Sequence, residues 1–153
     1  MAVDLANYPP LAPATSRRTA PAGAVKALQC VLTERGLYSG KLSGVYNDAT
    51  VAAVRQWQEG RGFKASSTFS RSNWTALLAQ GWDIAVKVGS TGTHVRRVQR
   101  ALNAADPTLK RSVNGVFSRT TAADVRAYQK RAGLRRTGIV NKGTWARLRA
   151  GVR

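Results

Sequence analysis

The stretch NGVFSRTTAADVRAYQKRAGLRRTGIVNKGTW, residues 114–145, decides the fold, because the chain contains it twice. An earlier copy, SGVYNDATVAAVRQWQEGRGFKASSTFSRSNW, occupies residues 43–74. At a constant offset of 71, Gly44 pairs with Gly115, Thr50 with Thr121, Val54 with Val125, Gln58 with Gln129, Gly62 with Gly133 and Trp74 with Trp145. Tyr46 with Phe117, Trp57 with Tyr128 and Phe63 with Leu134 are conservative pairs, so apolar positions and turn residues repeat together. This is an internal repeat.

The repeat continues upstream with one change of register. Val25, Leu28, Gln29 and Leu32 match Val95, Val98, Gln99 and Leu102 at an offset of 70, which puts one extra residue in the loop before Gly115. Each copy spans roughly 60 residues, near the lower limit for a chain that folds on its own core. Two small domains are therefore expected: a lead-in at 1–20, repeat one at 21–81 and repeat two at 82–153.

Within each copy the apolar residues recur at i, i+3 and i+7, the signature of a helix with one buried stripe. The pattern predicts an all-α fold of two tandem three-helix domains joined by short extended segments. Ser90 or Thr91 is the expected N-cap of the first helix in repeat two, with Thr19 and Pro21 a weaker start in repeat one. Asn47 and Ser118 are matched caps for the second helices, and Ser70 and Asn141 for the third. Gly62 and Gly133 fall where a C-terminal glycine ends a helix. Trp74 and Trp145 sit at inward positions and read as core. Gln58 and Gln129, on an inward-leaning edge, are expected to bond the backbone of a loop.

Both copies resemble the peptidoglycan-binding domain attached to bacterial cell-wall hydrolases. The residues that carry the resemblance are Val98-Gln99-Arg100-Ala101-Leu102, Asn114-Gly115-Val116-Phe117, Thr121, Val125, Tyr128-Gln129, Gly133-Leu134, Gly138 and Thr144-Trp145 with Leu148. The second copy matches more closely than the first. Where the family has Asp-Gly, the chain has Asn114-Gly115 and Ser43-Gly44, and at the second such turn Thr137-Gly138 and Ser66-Ser67. The resemblance implies binding to peptidoglycan without catalysis, with a catalytic domain outside this chain as a partner and a location at the cell wall.

Charge and composition bound what else the chain does. A hydrophobic share of 43% suits a folded protein rather than a disordered one. Lys and Arg number 25 against 7 acids, a net charge of +18. Nine basic residues against four acids in 1–81 give +5, and sixteen against three in 82–153 give +13. Such a field favours anionic polymers of any kind, in a salt-dependent way. Anionic wall polymers, nucleic acid and lipid headgroups all qualify.

No run approaches the roughly 20 apolar residues of a membrane span. Residues 1–23 lack the apolar centre of a secretory signal, so an extracellular location depends on Met1 not being the natural start. Residues 1–20 hold Pro9, Pro10 and Pro13 with Arg17 and Arg18 and no sustained periodicity. They read as an extended lead-in, with Tyr8-Pro9-Pro10-Leu11 packing on the first domain as Ile84-Ala85-Val86 does on the second. Trp82, without a counterpart in the other copy, reads as a wedge between the domains, the alternative being an exposed platform for sugar.

Counting argues against an enzyme. A zinc hydrolase needs three protein ligands, usually with His among them, and His94 is the only histidine. Glycoside cleavage needs two carboxyl groups across a cleft, and no pair of acids appears in both copies. Cys30, the only cysteine, sits in a helix pattern as a buried or half-buried thiol and forms no intrachain disulfide.

A binding module needs only shape and polar contacts. The start of the second helix in repeat two offers unpaired N–H groups to a carboxylate, bordered by Asn114, Gly115, Arg119 and Thr121. Asp48 replaces Arg119 in repeat one, which makes that copy the poorer anion site. The leading expectation is a peptidoglycan-binding anchor. The alternatives are a basic nucleic-acid-binding protein and a structural wall-binding part of a phage or injection particle. No cofactor or metal is expected.

Overall fold

The computed structural model describes residues 3–153. Six helices follow in order: α1 Ala22–Glu34, α2 Asp48–Gly60, α3 Arg71–Leu78, α4 Thr93–Ala105, α5 Arg119–Arg131 and α6 Lys142–Arg149. Among the described residues, extended pairing is confined to isolated bridges, so the fold is all-α with short extended connections.

The helices begin and end for the reasons written in the repeat. Asn47 accepts the Thr50 N–H at 3.0 Å, and Asn141 accepts that of Thr144 at 3.0 Å. Ser118 and Thr121 form a reciprocal capping box at the start of α5. At the other end of α2, Gly62 takes φ +75° and bonds Glu59 O, while Phe63 N–H reaches Gln58 O at 2.8 Å. Gly133 and Leu134 repeat this at the end of α5, with Leu134 N–H on Gln129 O at 2.7 Å. A left-handed residue that returns two N–H groups to the last turn is a Schellman ending, which glycine forms without strain.

One cap differs from expectation. Neither Ser90 nor Thr91 caps α4; Gly92 does, at φ +96° and without a side-chain bond. Ser90 instead accepts the Lys87 N–H at 3.1 Å, and Thr91 bridges to Val116. The Ser90 hydroxyl and the Thr91 backbone are used in shaping the approach, and the sharp turn that remains suits glycine.

Four buried glutamines hold the loops. Gln29 accepts Gly44 N–H at 3.1 Å and donates to Val45 O at 3.0 Å; Gln99 accepts Gly115 N–H at 3.0 Å and donates to Val116 O at 3.1 Å. Gln58 accepts Ser66 N–H at 2.7 Å and donates to Thr68 O at 2.9 Å, while Gln129 accepts Gly138 N–H at 3.0 Å and donates to Ile139 O at 2.9 Å. A buried amide that meets both its acceptor and its donors avoids the desolvation cost of an unpaired polar group. Each glutamine thereby fixes one turn on its domain.

The apolar stripes close over these loops. Trp74, Trp145 and Tyr128 are fully buried and Trp57 nearly so, as expected of core rather than platform residues. Trp145 Nε1 donates to Ile84 O at 2.8 Å, and Tyr128 donates its hydroxyl proton to Val152 O at 2.9 Å. Cys30 is buried, where loss of solvent pushes its thiol pKa up.

Contacts divide the chain into two compact units, one ending at Ser70 and including Pro9–Ser70, the other comprising Ala6–Tyr8 with Arg71–Arg153. In the first, the lead-in pairs with the chain before α3: Leu11 and Phe69 exchange N–H···O bonds at 2.9 and 2.8 Å. In the second, Val86 and Val140 do likewise at 3.0 and 2.8 Å. Helix α3 belongs to repeat one by sequence but packs on α4 and α6 within the second unit. It buries Asn73, Trp74, Thr75, Ala76, Leu77 and Leu78, where α6 buries only Thr144, Trp145 and Leu148.

Trp82 does not act as a wedge. The residue is 81% exposed, while its backbone carbonyl accepts from Arg97 Nη2 at 2.6 Å. Arg97 itself lies over the Trp145 ring at 3.6 Å, and burial, with Arg149 nearby, lowers its pKa to about 10. Arg149 holds Asp83. Arg97 on the Trp82 carbonyl, and Arg149 on the Asp83 carboxylate and the Gly81 carbonyl, tie down residues 81–83 and leave the indole in solvent.

Candidate functional site

The loop before α5 is built around one acceptor. Asn114 Oδ1 accepts both the Val116 N–H at 2.9 Å and Gln99 Nε2 at 2.9 Å, an Asx turn locked to a buried amide. Ser43, Ser66 and Thr137 hold the same place in the other three turns, each accepting the N–H two residues on. The position where the family has Asp thus serves the turn, and Asn, Ser or Thr can fill it. Gly115 follows at φ +75°, where a Cβ would meet Arg96 at 3.1 Å.

From there the chain enters α5. Ser118 Oγ accepts the Thr121 N–H at 3.2 Å, and Thr121 Oγ1 receives the Ser118 N–H at 3.4 Å. Arg119 and Thr120 are the first two residues of the helix, where an α-helix leaves its N–H groups without intrahelical carbonyls at the positive end of the dipole. Beside them lies an open hollow of about 210 Å³ bordered by Asn114, Ser118, Thr120, Thr121, Arg111 and Asp124. Arg111 closes one side through a bidentate pair with Asp124 at 2.9 and 3.1 Å. The carboxylate keeps the Arg111 guanidinium more firmly protonated than usual.

Of the four residues singled out from sequence, Asn114 and Thr121 share this hollow, and Gly115 is buried behind it. Arg119 is exposed on the same turn but does not form the wall. Sequence reading missed Arg111, Thr120 and Asp124. The available signal was that Asp124 and Thr120 replace Ala53 and Ala49 of repeat one. The arrangement offers hydroxyls, an amide and a helix start, which suit hydrogen bonding to a polar, carboxylate-bearing ligand. Among the described residues, no three of His, Cys, Asp and Glu gather where they could hold a metal ion, and no helix is long and apolar enough to cross a membrane.

Neither a curated protein nor a solved structure matches the chain. A family match does exist: the sequence profile of the peptidoglycan binding domain fits residues 21–77 and again residues 91–148. It is a binding domain, not a catalytic one. Because the two matches together span well over half of the 153 residues, the chain belongs to the peptidoglycan binding domain family and carries that domain twice.

Proposed function

We propose that the chain binds bacterial peptidoglycan without cleaving it, and that it anchors an attached enzyme or assembly at the cell wall. The observation that carries this reading is the double family match, one to each repeat. Two weak sites on one chain raise overall avidity through effective concentration, which gives the duplication a purpose. The net charge of +18 adds attraction to anionic wall polymers.

We place the dominant contact in repeat two, at Asn114, Gly115, Arg119 and Thr121. Arg119 and the α5 N–H groups would meet a stem-peptide carboxylate, while the hollow takes neighbouring polar groups. Asp48 stands where Arg119 does, so the corresponding place in repeat one repels an anion. Co-sedimentation with purified sacculi, run beside a duplex DNA shift at equal salt, tests the class of polymer. Sacculus binding with little DNA shift is expected. Tight DNA binding without sacculus binding would overturn the reading.

A further inference from the structure

In repeat two the chain leading into α4 covers the extended edge at Gly115–Phe117. Gly92 N–H bonds Gly115 O at 2.8 Å, Phe117 N–H bonds Ser90 O at 3.0 Å, and Gly89 N–H bonds Phe117 O at 3.1 Å. The edge is closed by its own chain.

Repeat one has the same edge, Gly44–Tyr46; Ala22 packs against Gly44, as Gly92 does against Gly115, but the Tyr46 end is left unbonded. Fourteen positions separate Leu11 from Val25, against nine between Val86 and Val95, so the lead-in is five residues longer. The extra residues form a separate turn in which Thr15 and Arg18 pair with each other, at 2.8 and 3.4 Å, rather than with the edge. Among the described residues, Gly44 O, Tyr46 N–H and Tyr46 O have no hydrogen-bond partner. The Tyr46 hydroxyl, at the place of Phe117, is also buried without a partner. Between this edge and the lead-in lies a gap of about 210 Å³ lined by Ala14, Thr19, Ala20 and Ala22. It adjoins a hollow of about 690 Å³ that shares Thr19 and Ala20 and is bordered by Arg17 and Arg18.

We infer that this gap binds a short extended peptide, which adds itself to the edge at Tyr46 as residues 89–90 do at Phe117 in repeat two. An unpaired edge takes a strand through main-chain bonds, and the neighbouring pockets set which side chains fit. Alanine walls admit small side chains. Arg17 and Arg18 supply the charge for a terminal carboxylate. Resting on the wall-binding reading, the inference names the peptide stems of peptidoglycan as the occupant and gives repeat one a task different from that of repeat two.

The test uses the full chain, isotope-labelled, and acetyl-Ala-Ala-Ala with a free C-terminal carboxylate. Saturable shifts of the Tyr46 backbone amide are expected, with the Phe117 amide, already bonded to Ser90, unmoved. The C-terminally amidated peptide should bind about tenfold more weakly, for loss of a charge-assisted contact. Ala14→Trp, from an exposed position, should block the shift without lowering the unfolding midpoint. No saturable shift at Tyr46, or an undiminished shift in Ala14→Trp, would overturn the inference, and continued sacculus binding by the same protein would leave the wall reading standing. Peptide binding at Tyr46 with no sacculus binding would support the site and overturn its assignment to the wall.

Discussion

Gln99 receives the N–H of Gly115 on its Oε1 at 3.0 Å, from sixteen residues away in sequence, and so joins α4 to the turn that precedes α5. The bond is buried, and the same amide donates to Asn114 and to Val116 O. Gln99 also lines the candidate hollow and, through Asn114, fixes one of its walls.

Replacing Gln99 with Leu keeps the volume and removes the bonds. The Gly115 N–H and Val116 O then lose their partners, at about 1–3 kcal/mol for each group left buried and unpaired. Denaturant unfolding of Gln99→Leu should show that loss; a change below about 0.5 kcal/mol would show that the turn holds without it.

Trp145 and Trp82 should behave oppositely. Trp145→Ala removes a fully buried ring that carries Arg97 on its face and should cost about 3–5 kcal/mol. Trp82→Ala truncates a residue already 81% exposed and should change stability by no more than about 0.5 kcal/mol. Thermal midpoints of the two variants make the comparison.

Acid should weaken the second unit through Asp106. Thr108, first by its hydroxyl and then by its N–H, with Arg131 and Arg153 nearby, holds the Asp106 carboxyl below its ordinary value. A depressed folded pKa gives stability that is present above the unfolded value of about 3.9 and lost as pH falls through the folded one. Asp106→Asn should flatten the stability profile in that acid window. An unaltered profile would assign the acid sensitivity to other carboxylates.

Charge at the start of α5 should matter more than charge elsewhere. Arg119→Glu puts a carboxylate where the ligand's would sit, and should weaken sacculus binding by more than the about fivefold that loss of an exposed ion pair can bring. Asp48→Arg should strengthen binding through repeat one. Equal binding by Arg119→Glu and the wild type would place the contact elsewhere.

Much of the fold was legible because the repeat states each local rule twice. The pairs Asn47 and Ser118, Gly62 and Gly133, and Gln58 and Gln129 each identify a cap, a stop or a loop anchor, and the structure uses them so. What escaped reading depends on distant contacts. The exposure of Trp82 follows from Arg97 holding its carbonyl and Arg149 holding the Asp83 carboxylate and Gly81 O, and the choice of Gly92 over Ser90 as cap follows from Ser90 and Thr91 being occupied with Lys87 and Val116. The extra residue before Gly115 is absorbed in a loop where Lys110 takes φ +44°, anchored by Asn103 on Arg111 at 2.7 and 2.9 Å. Of the site, the Asn114 and Thr121 positions were readable from the motif, whereas the Arg111–Asp124 pair occurs in one copy alone and repeats nothing.

The central claim is most directly tested by co-sedimentation of the full chain with sacculi stripped of anionic polymers by acid, beside untreated sacculi, as salt is raised. In the proposed reading, recognition rests on hydrogen bonds and a seated carboxylate, so binding to stripped sacculi should persist at moderate salt, where the Debye length has fallen to about 8 Å. Retention on untreated sacculi alone, vanishing as salt rises, would contradict it and reduce the interaction to the chain's charge of +18.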